Sequence, residues 1–266
     1  MNRPPTKPTR FAALLLALFS AAHAQQAQPP AAPAPQPPPP AARPLSPADK
    51  AQFEALIRDY LLRNPSVIRD AIVALQEQER AAAAERATKA ARASRAELFD
   101  APGAQYMGSD KPDMSLAIFF DYRCGYCKQV APSLRKLVES DPKIRIVLLE
   151  LPVLGPDSQF AAKAALAARP HGKYVAFHKA LLASSNLKEE TVRQIAREQG
   201  LPDSLFSQLD SPAIAQTLQK TAALAERLEI TGTPGFVVGE TILPGAVSYE
   251  VLTQVIQQER EKAKAK

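Results

Sequence analysis

Phe119-Phe120-Asp121-Tyr122-Arg123-Cys124-Gly125-Tyr126-Cys127-Lys128 is the stretch whose reading decides the fold. The run feeding it, Leu116 to Phe120, is apolar at every position and predicts a buried strand. After a short turn, Val130, Leu134, Leu137 and Val138 recur at helical spacing and predict one apolar helix face. Cys124 and Cys127 stand at that strand-to-helix junction, and they are the only two cysteines in 266 residues. A sole pair in this position reads as a redox pair.

The chemistry follows from the junction. The first turn of a helix leaves backbone N–H groups unpaired, and with the helix dipole they stabilise an anion. Arg123 beside Cys124 and Lys128 nearby add positive charge, so Cys124 is expected to ionise easily, with Arg123 helping to tune it. Cys127, three residues on, can close a disulfide with Cys124 and release a trapped partner. Other uses of the pair fit less well. A zinc site needs about four ligands, and there is neither a second cysteine pair nor a His at finger-like spacing. Covalent haem attachment needs His after the second cysteine, where this chain has Lys128. A structural disulfide over so short a loop would stabilise little.

Outward from this centre, the amino-terminal end sets the compartment. Arg3, Lys7 and Arg10 precede an apolar run from Phe11 to Ala22, and Ala22-His23-Ala24 fits a small-x-small cleavage site. Residues 1–24 are therefore expected to be a cleaved signal peptide, an uncleaved anchor being the weaker alternative. Export places the pair in an oxidising compartment, expected to be the periplasm. Taking three of the 33 basic residues away with that segment leaves 30 against 27 acidic, a net charge of +3. No basic-aromatic patch accompanies that charge, so nucleic acid is not an expected partner. Residues 25–47 are dominated by Pro, Ala and Gln and predict an extended spacer, with a proline-motif ligand as the lesser reading.

Residues 48–97 predict helices. Ser46-Pro47 is a helix start, and Phe53, Leu56, Ile57, Tyr60 and Leu61 follow at helical spacing. Asn64-Pro65 breaks that helix, and Val67, Ile68, Ala71, Ile72 and Leu75 form the stripe of the next. Gln76 to Glu97 has high helix propensity but little to bury. About fifty residues make too small a core alone, so the stripes are covered either by the rest of the chain or by further copies. The second option makes this an oligomerisation region and the alanine-rich stretch a semi-rigid arm.

Residues 98–266 predict one domain of α/β class. Leu98 to Asp113 reads as connector with a short strand near Gln105–Met107. Lys143 to Leu151 is a second strand, giving a βαβ unit with a parallel pair. Residues 156–229 read as a helical insertion, in which His171 and His178 are surface or packing residues. Ile230 to Val238 returns to strand, turns at Gly239-Glu240 and pairs with Thr241-Ile242. Proline at 234 is costly inside a strand, which a cis Thr233–Pro234 bond would explain; without the cysteine pair that would be an even choice. Ser248 onward predicts an amphipathic helix with Tyr249, Leu252, Val255 and Ile256 facing inward.

These residues resemble the DsbA family of exported thiol-disulfide oxidoreductases with a thioredoxin-like fold. The resemblance is carried by Phe119 to Lys128, by Leu154-Gly155-Pro156-Asp157-Ser158 and by Gly232-Thr233-Pro234-Gly235-Phe236-Val237, and covers roughly residues 98–258. Tyr60-Leu61-Leu62-Arg63-Asn64-Pro65 is similar to the ScsC-like branch, whose amino-terminal region can oligomerise the protein and favour isomerase activity. The resemblance implies that Cys124 attacks, Cys127 resolves, and Thr233 and Pro234 form a cis-proline platform for substrate, with Gly125 and Tyr126 also on the substrate side. No cofactor or metal is implied; client proteins with cysteines and a membrane redox partner are. One departure stands out: Ile118 occupies a place where family members often carry a buried acid that assists the resolving thiol. The expected function is a protein thiol-disulfide oxidoreductase, an oligomeric isomerase. The alternatives are a dithiol oxidase, a Cu(I)-binding thiol protein or chaperone, and an adaptor in which the thiols are incidental.

Overall fold

A computed structural model describes residues 46–265. The expected signal peptide and residues 25–45 of the expected spacer lie outside the described residues. The chain divides into two compact units, one ending at Leu62 and the other beginning at Arg63. What is described of the first is Ser46 and helix α1 (Pro47–Arg63) up to Leu62. Ser46 caps it: the Ser46 hydroxyl accepts from the Asp49 N–H at 3.2 Å, and the Asp49 carboxylate accepts from the Ser46 N–H at 3.1 Å. Phe53, Leu56, Ile57 and Tyr60 form its apolar stripe, and all four are exposed.

The second unit opens with helix α2 (Ser66–Ala93), which starts directly after the Asn64-Pro65 break. Val67, Ile68, Ile72 and Leu75 on its early turns are exposed. Its last turns are anchored. Ala91 is fully buried, and Arg92 forms a bidentate pair with the Glu240 carboxylate. Alanine's small side chain is what lets the helix approach that closely. A short helix α3 (Arg95–Phe99) follows and buries Leu98 and Phe99, where the sequence predicts connector from Leu98 onward.

Five strands form one sheet among the described residues: β1 (Gln105–Gly108), β2 (Met114–Phe120), β3 (Ile144–Glu150), β4 (Gly235–Val238) and β5 (Thr241–Pro244). Their order is β1-β3-β2-β4-β5. The predicted parallel pair is β2 on β3, with Leu116 opposite Ile146 and Phe120 opposite Glu150; the other pairings are antiparallel. β2 is apolar almost throughout because both of its faces are covered, as central parallel strands require. Side chains alternate across it. Leu116, Ile118 and Phe120 join Val130, Leu134 and Leu137 of helix α4 (Gly125–Ser140), while Ala117 and Phe119 join Leu98, Val237 and Leu224 on the other face.

The insertion holds α5 (Pro156–Ala167), α6 (Tyr174–Ala183), α7 (Glu189–Glu198) and α8 (Pro212–Arg227), with short 3-10 turns at Arg169–His171 and Asp203–Gln208. Helix α9 (Tyr249–Lys264) closes the chain, with Leu252 and Ile256 buried against the α4 side. Ile230 to Pro234, predicted as strand, stays outside the sheet, which resumes only at Gly235 opposite Phe119. Proline has no N–H to give a ladder, so the pairing starts after it. The β4–β5 turn depends on Gly239, whose φ of +58° is left-handed and whose absent Cβ would fall 2.3 Å from Glu259 Oε2. That buried carboxylate accepts from the Glu240 N–H and the Thr241 hydroxyl, tying the hairpin to α9. No helix among the described residues is long and apolar enough to cross a membrane.

Candidate active site

Strand β2 delivers the chain to the edge of its sheet, and Asp121, Tyr122 and Arg123 turn it into α4. Cys124 is the N-cap residue, extended at φ −70° and ψ 116°. Its N–H donates to Asp121 O at 3.1 Å, and its carbonyl takes the first helical bond from Lys128 N–H at 3.2 Å. The Cys124 thiol is 6% exposed and donates to the Thr233 carbonyl at 3.1 Å, across 109 residues of sequence. The Thr233–Pro234 peptide bond is cis. Cys124, Cys127, Thr233 and Pro234, predicted from separate stretches, therefore meet in one place. Gly125 and Tyr126, on the first turn of α4 beside Cys124, are both exposed, Tyr126 at 65%.

Both cysteines are free thiols. Cys127 is deeper, at 2% exposure, and burial pushes its thiol up to about 12. The backbone at Asp121 and the Thr233 side chain work against that rise; charge on Cys124 adds to it. The place of Ile118 is wholly apolar: it packs into the α4-side core, opposite Leu148 and Phe236.

Two buried carboxylates lie elsewhere around the junction. Asp121 is 1% exposed, and its Oδ1 accepts from Ser158 Oγ at 2.6 Å and Arg123 N at 2.7 Å, while Oδ2 accepts from Leu154 N at 2.9 Å. Arg123, expected to add charge beside Cys124, places its guanidinium on Leu154 O at 2.8 Å. Lys128 donates to Ser184 O. Glu150 ends β3, and Tyr174 donates to its carboxylate. Burial raises Glu150 from 4.5 to about 7 even though the Arg169 guanidinium draws it back. The same burial holds the Tyr122 and Tyr174 hydroxyls well above their usual range. His178, read from the sequence as a surface or packing residue, is buried with Nδ1 3.1 Å from the Tyr122 hydroxyl and its ring edge-on to Phe120. Desolvation lowers it to about 3, so it is neutral. His171 is exposed.

Sequence reasoning quoted Asp121 and Ser158 without giving them a joint role, and it passed over Glu150 as the end of a strand. The only signal was a lone acid closing an apolar run. Among the described residues there is no group of three or more His, Cys, Asp or Glu arranged to hold a metal ion.

With this geometry established, comparison with known proteins gives two family matches. Residues 115–257, more than half of the chain, match the DSBA-like thioredoxin domain, and residues 49–82 match the copper resistance protein ScsC N-terminal domain. Among solved structures, a thioredoxin-like oxidoreductase from Silicibacter pomeroyi is 40% identical, with 63% of this chain and 98% of that one covered and a TM-score of 0.61. Proteus mirabilis ScsC in a transitional conformation is 28% identical over 82% of this chain and 100% of its own, with a TM-score of 0.61. A periplasmic thioredoxin-like protein from Salmonella enterica is 27% identical over 63% and 95%, with a TM-score of 0.57. Two curated relatives, the Na(+)/H(+) antiporters NhaA 3 of Salinispora tropica and NhaA 1 of Salinispora arenicola, are 27% and 28% identical over 153 residues. That match takes in 56% of this chain but only 24% of either antiporter.

Proposed function

This chain belongs to the family of DSBA-like thioredoxin domains, and from that premise we propose an exported, oligomeric protein thiol-disulfide isomerase working through Cys124. The observation carrying the proposal is the 3.1 Å approach of Cys124 Sγ to the backbone of Thr233, at the mouth of a site with a second, buried thiol beneath.

The Cys124 thiolate attacks a client disulfide, forming a mixed disulfide and expelling one client thiolate. The client cysteine still attached lies against Thr233 and Pro234, with Gly125 and Tyr126 alongside. In one outcome, a different client thiol attacks the client sulfur of the mixed disulfide, forms a new client disulfide and returns Cys124 as thiolate. That is isomerisation, with no net oxidation. In the other, Cys127 attacks Cys124 Sγ, the client leaves fully reduced, and the protein carries the disulfide for a membrane redox partner to reset. Cys127 decides between them. Burial, the largest cause of the raised Cys127 value, persists when Cys124 is bound to client and keeps that thiol protonated near neutral pH, which delays resolution and leaves time for the client's own thiol. Ile118, packed in the apolar core, supplies no carboxylate to shorten that delay. Once Cys124 is bound to client its negative charge is gone, and with it one cause of the high Cys127 value.

Oligomerisation draws on the exposed stripes of α1 and of early α2, and on the ScsC-type match over residues 49–82. Several active sites around one client raise the local concentration of attacking thiols. Light scattering of the full chain against an Ile68→Glu/Ile72→Glu variant tests this: a monomeric mass for both would dismiss the oligomer. Periplasmic residence rests on the expected signal peptide and on the similarity to the periplasmic Salmonella protein.

The deciding assay is recovery of activity from scrambled ribonuclease. Cys124→Ala should abolish it and Cys127→Ala should leave a substantial fraction; equal activity in all three forms would end the proposal. The ScsC-type match favours a second reading, in which the thiols bind soft Cu(I). A two-sulfur copper site needs both cysteines, so Cu(I) titration of Cys127→Ala separates the readings.

A further inference from the structure

Helix α8 turns one face, Thr217, Lys220, Thr221 and Leu224 at i, i+3, i+4 and i+7, towards the end of β3. A helix face packed directly on a sheet carries large apolar side chains throughout, and here only Leu224 is one. Across from it stand Ala96, Ala101 and Ala104, too small to close the gap. The result is a cavity of about 580 Å³ between α3, β3 and α8, the size of a small-molecule site. None of Cys124, Cys127, Thr233 or Pro234 lines it, but Arg169 does. The turn carrying Arg169 is fixed: Ala168 is fully buried, and the Gly172 N–H donates to Arg169 O at 3.0 Å. The guanidinium stands 5.7 Å over the Tyr174 ring, and its Nε is buried with no acceptor among the described residues. Glu150, on the same wall, accepts from the Tyr174 hydroxyl instead. A buried donor left unpaired is costly and uncommon.

We propose that this cavity binds a small molecule bearing a single carboxylate on an apolar body, the carboxylate on the Arg169 guanidinium and the body against Leu149 and Leu224. A guanidinium offers Nε and one Nη side by side, the spacing of two carboxylate oxygens. Lys220, exposed on the rim, adds a second positive charge. One negative charge suits the place better than two, because three acids share the wall. Glu97 is taken up by Arg227 at 2.6 Å, and Glu150, raised to about 7, is neutral at lower pH. Asp100 is exposed and remains charged, so a dianion such as phosphate meets repulsion that a monocarboxylate meets only by half. The apolar body displaces water from Leu149, Leu224 and Pro102, a gain that grows with the area covered.

Calorimetric titration of the full chain at pH 6 with 2-naphthoate tests the site. Binding should saturate at one molecule per chain. 2-Naphthamide has the same shape without the charge and should bind at least tenfold more weakly, the scale of a charge-assisted hydrogen bond. Acetate, which has the charge without the body, and inorganic phosphate should not displace naphthoate at equal concentration. Arg169→Gln should weaken naphthoate at least tenfold and leave naphthamide unchanged, while Lys220→Gln, on the rim, should cost about twofold. Ala104→Phe fills the cavity and should abolish binding of both compounds. Cys124→Ala should bind naphthoate as the wild type does, since the site is independent of thiol exchange. Should Arg169→Gln fail to give the wild-type circular dichroism, the naphthoate-to-naphthamide ratio of the wild type and the Ala104→Phe variant decide the matter. Equal affinity for naphthoate and naphthamide, displacement by phosphate, undiminished binding in Ala104→Phe, or no saturable binding at all would overturn the proposal.

Discussion

Replacing Glu150 by Gln tests the buried polar chain behind the cysteine turn. Glu150 is raised from 4.5 to about 7, chiefly by burial. The folded state therefore holds a proton that the unfolded chain has already lost, and the stability gained below pH 4.5 is forfeited as pH rises through 7. At about 1.4 kcal/mol per unit, the shift amounts to about 3 kcal/mol. His178 slopes the other way. Its value falls from 6.5 to about 3, so its contribution is complete above pH 6.5 and disappears as pH drops. Between pH 4.5 and 6.5 the two slopes oppose, and wild-type stability should change little. The amide of the Glu150→Gln variant cannot ionise and can still accept from Tyr174, so the variant should show the His178 slope alone. Urea unfolding of both proteins from pH 4.5 to 8 gives the difference in stability. It should move by about 3 kcal/mol in favour of Glu150→Gln across that range. The Tyr122 and Tyr174 hydroxyls, held well above their usual range, add nothing there. Parallel stability curves would refute the assignment of a neutral buried acid.

Two further outcomes are expected. Iodoacetamide at pH 7.5 should modify Cys124 and spare Cys127 in the folded, reduced protein, because burial holds the second thiol near 12; peptide mass mapping checks this, and equal labelling would contradict it. Gly239→Ala should destabilise by about 1–2 kcal/mol, since it combines a left-handed φ with a Cβ against the Glu259 carboxylate, and a urea midpoint equal to wild type would count against that contact.

The sequence made legible whatever is written locally. The parallel β2–β3 pair followed from two apolar runs, the break before α2 from Asn64-Pro65, and the cysteine turn from its own spacing. Contacts between distant stretches were not legible. Asp121 looks like a turn residue until Ser158, 37 positions away, is found on its carboxylate. Glu150 reads as the polar end of a strand, because nothing in its neighbourhood announces Tyr174. Ala91 illustrates the same limit from the apolar side. Its alanine-rich surroundings have nothing bulky to bury, and its burial arises from close approach rather than from hydrophobic periodicity. The meeting of Cys124 with Thr233 was anticipated only because the family resemblance supplied it.

The anchorage of α2 has a mechanical result. Its 28 residues form one uninterrupted helix, about 42 Å long at 1.5 Å per residue. Arg92, Ala91 and the Arg86–Glu229 pair clamp its far end to the sheet-bearing unit. Whatever seizes the opposite end holds a stiff lever instead of a slack tether. Each added residue turns such a lever by about 100° as well as lengthening it, so adding two residues would swing the thiols to another bearing, while four would nearly restore it.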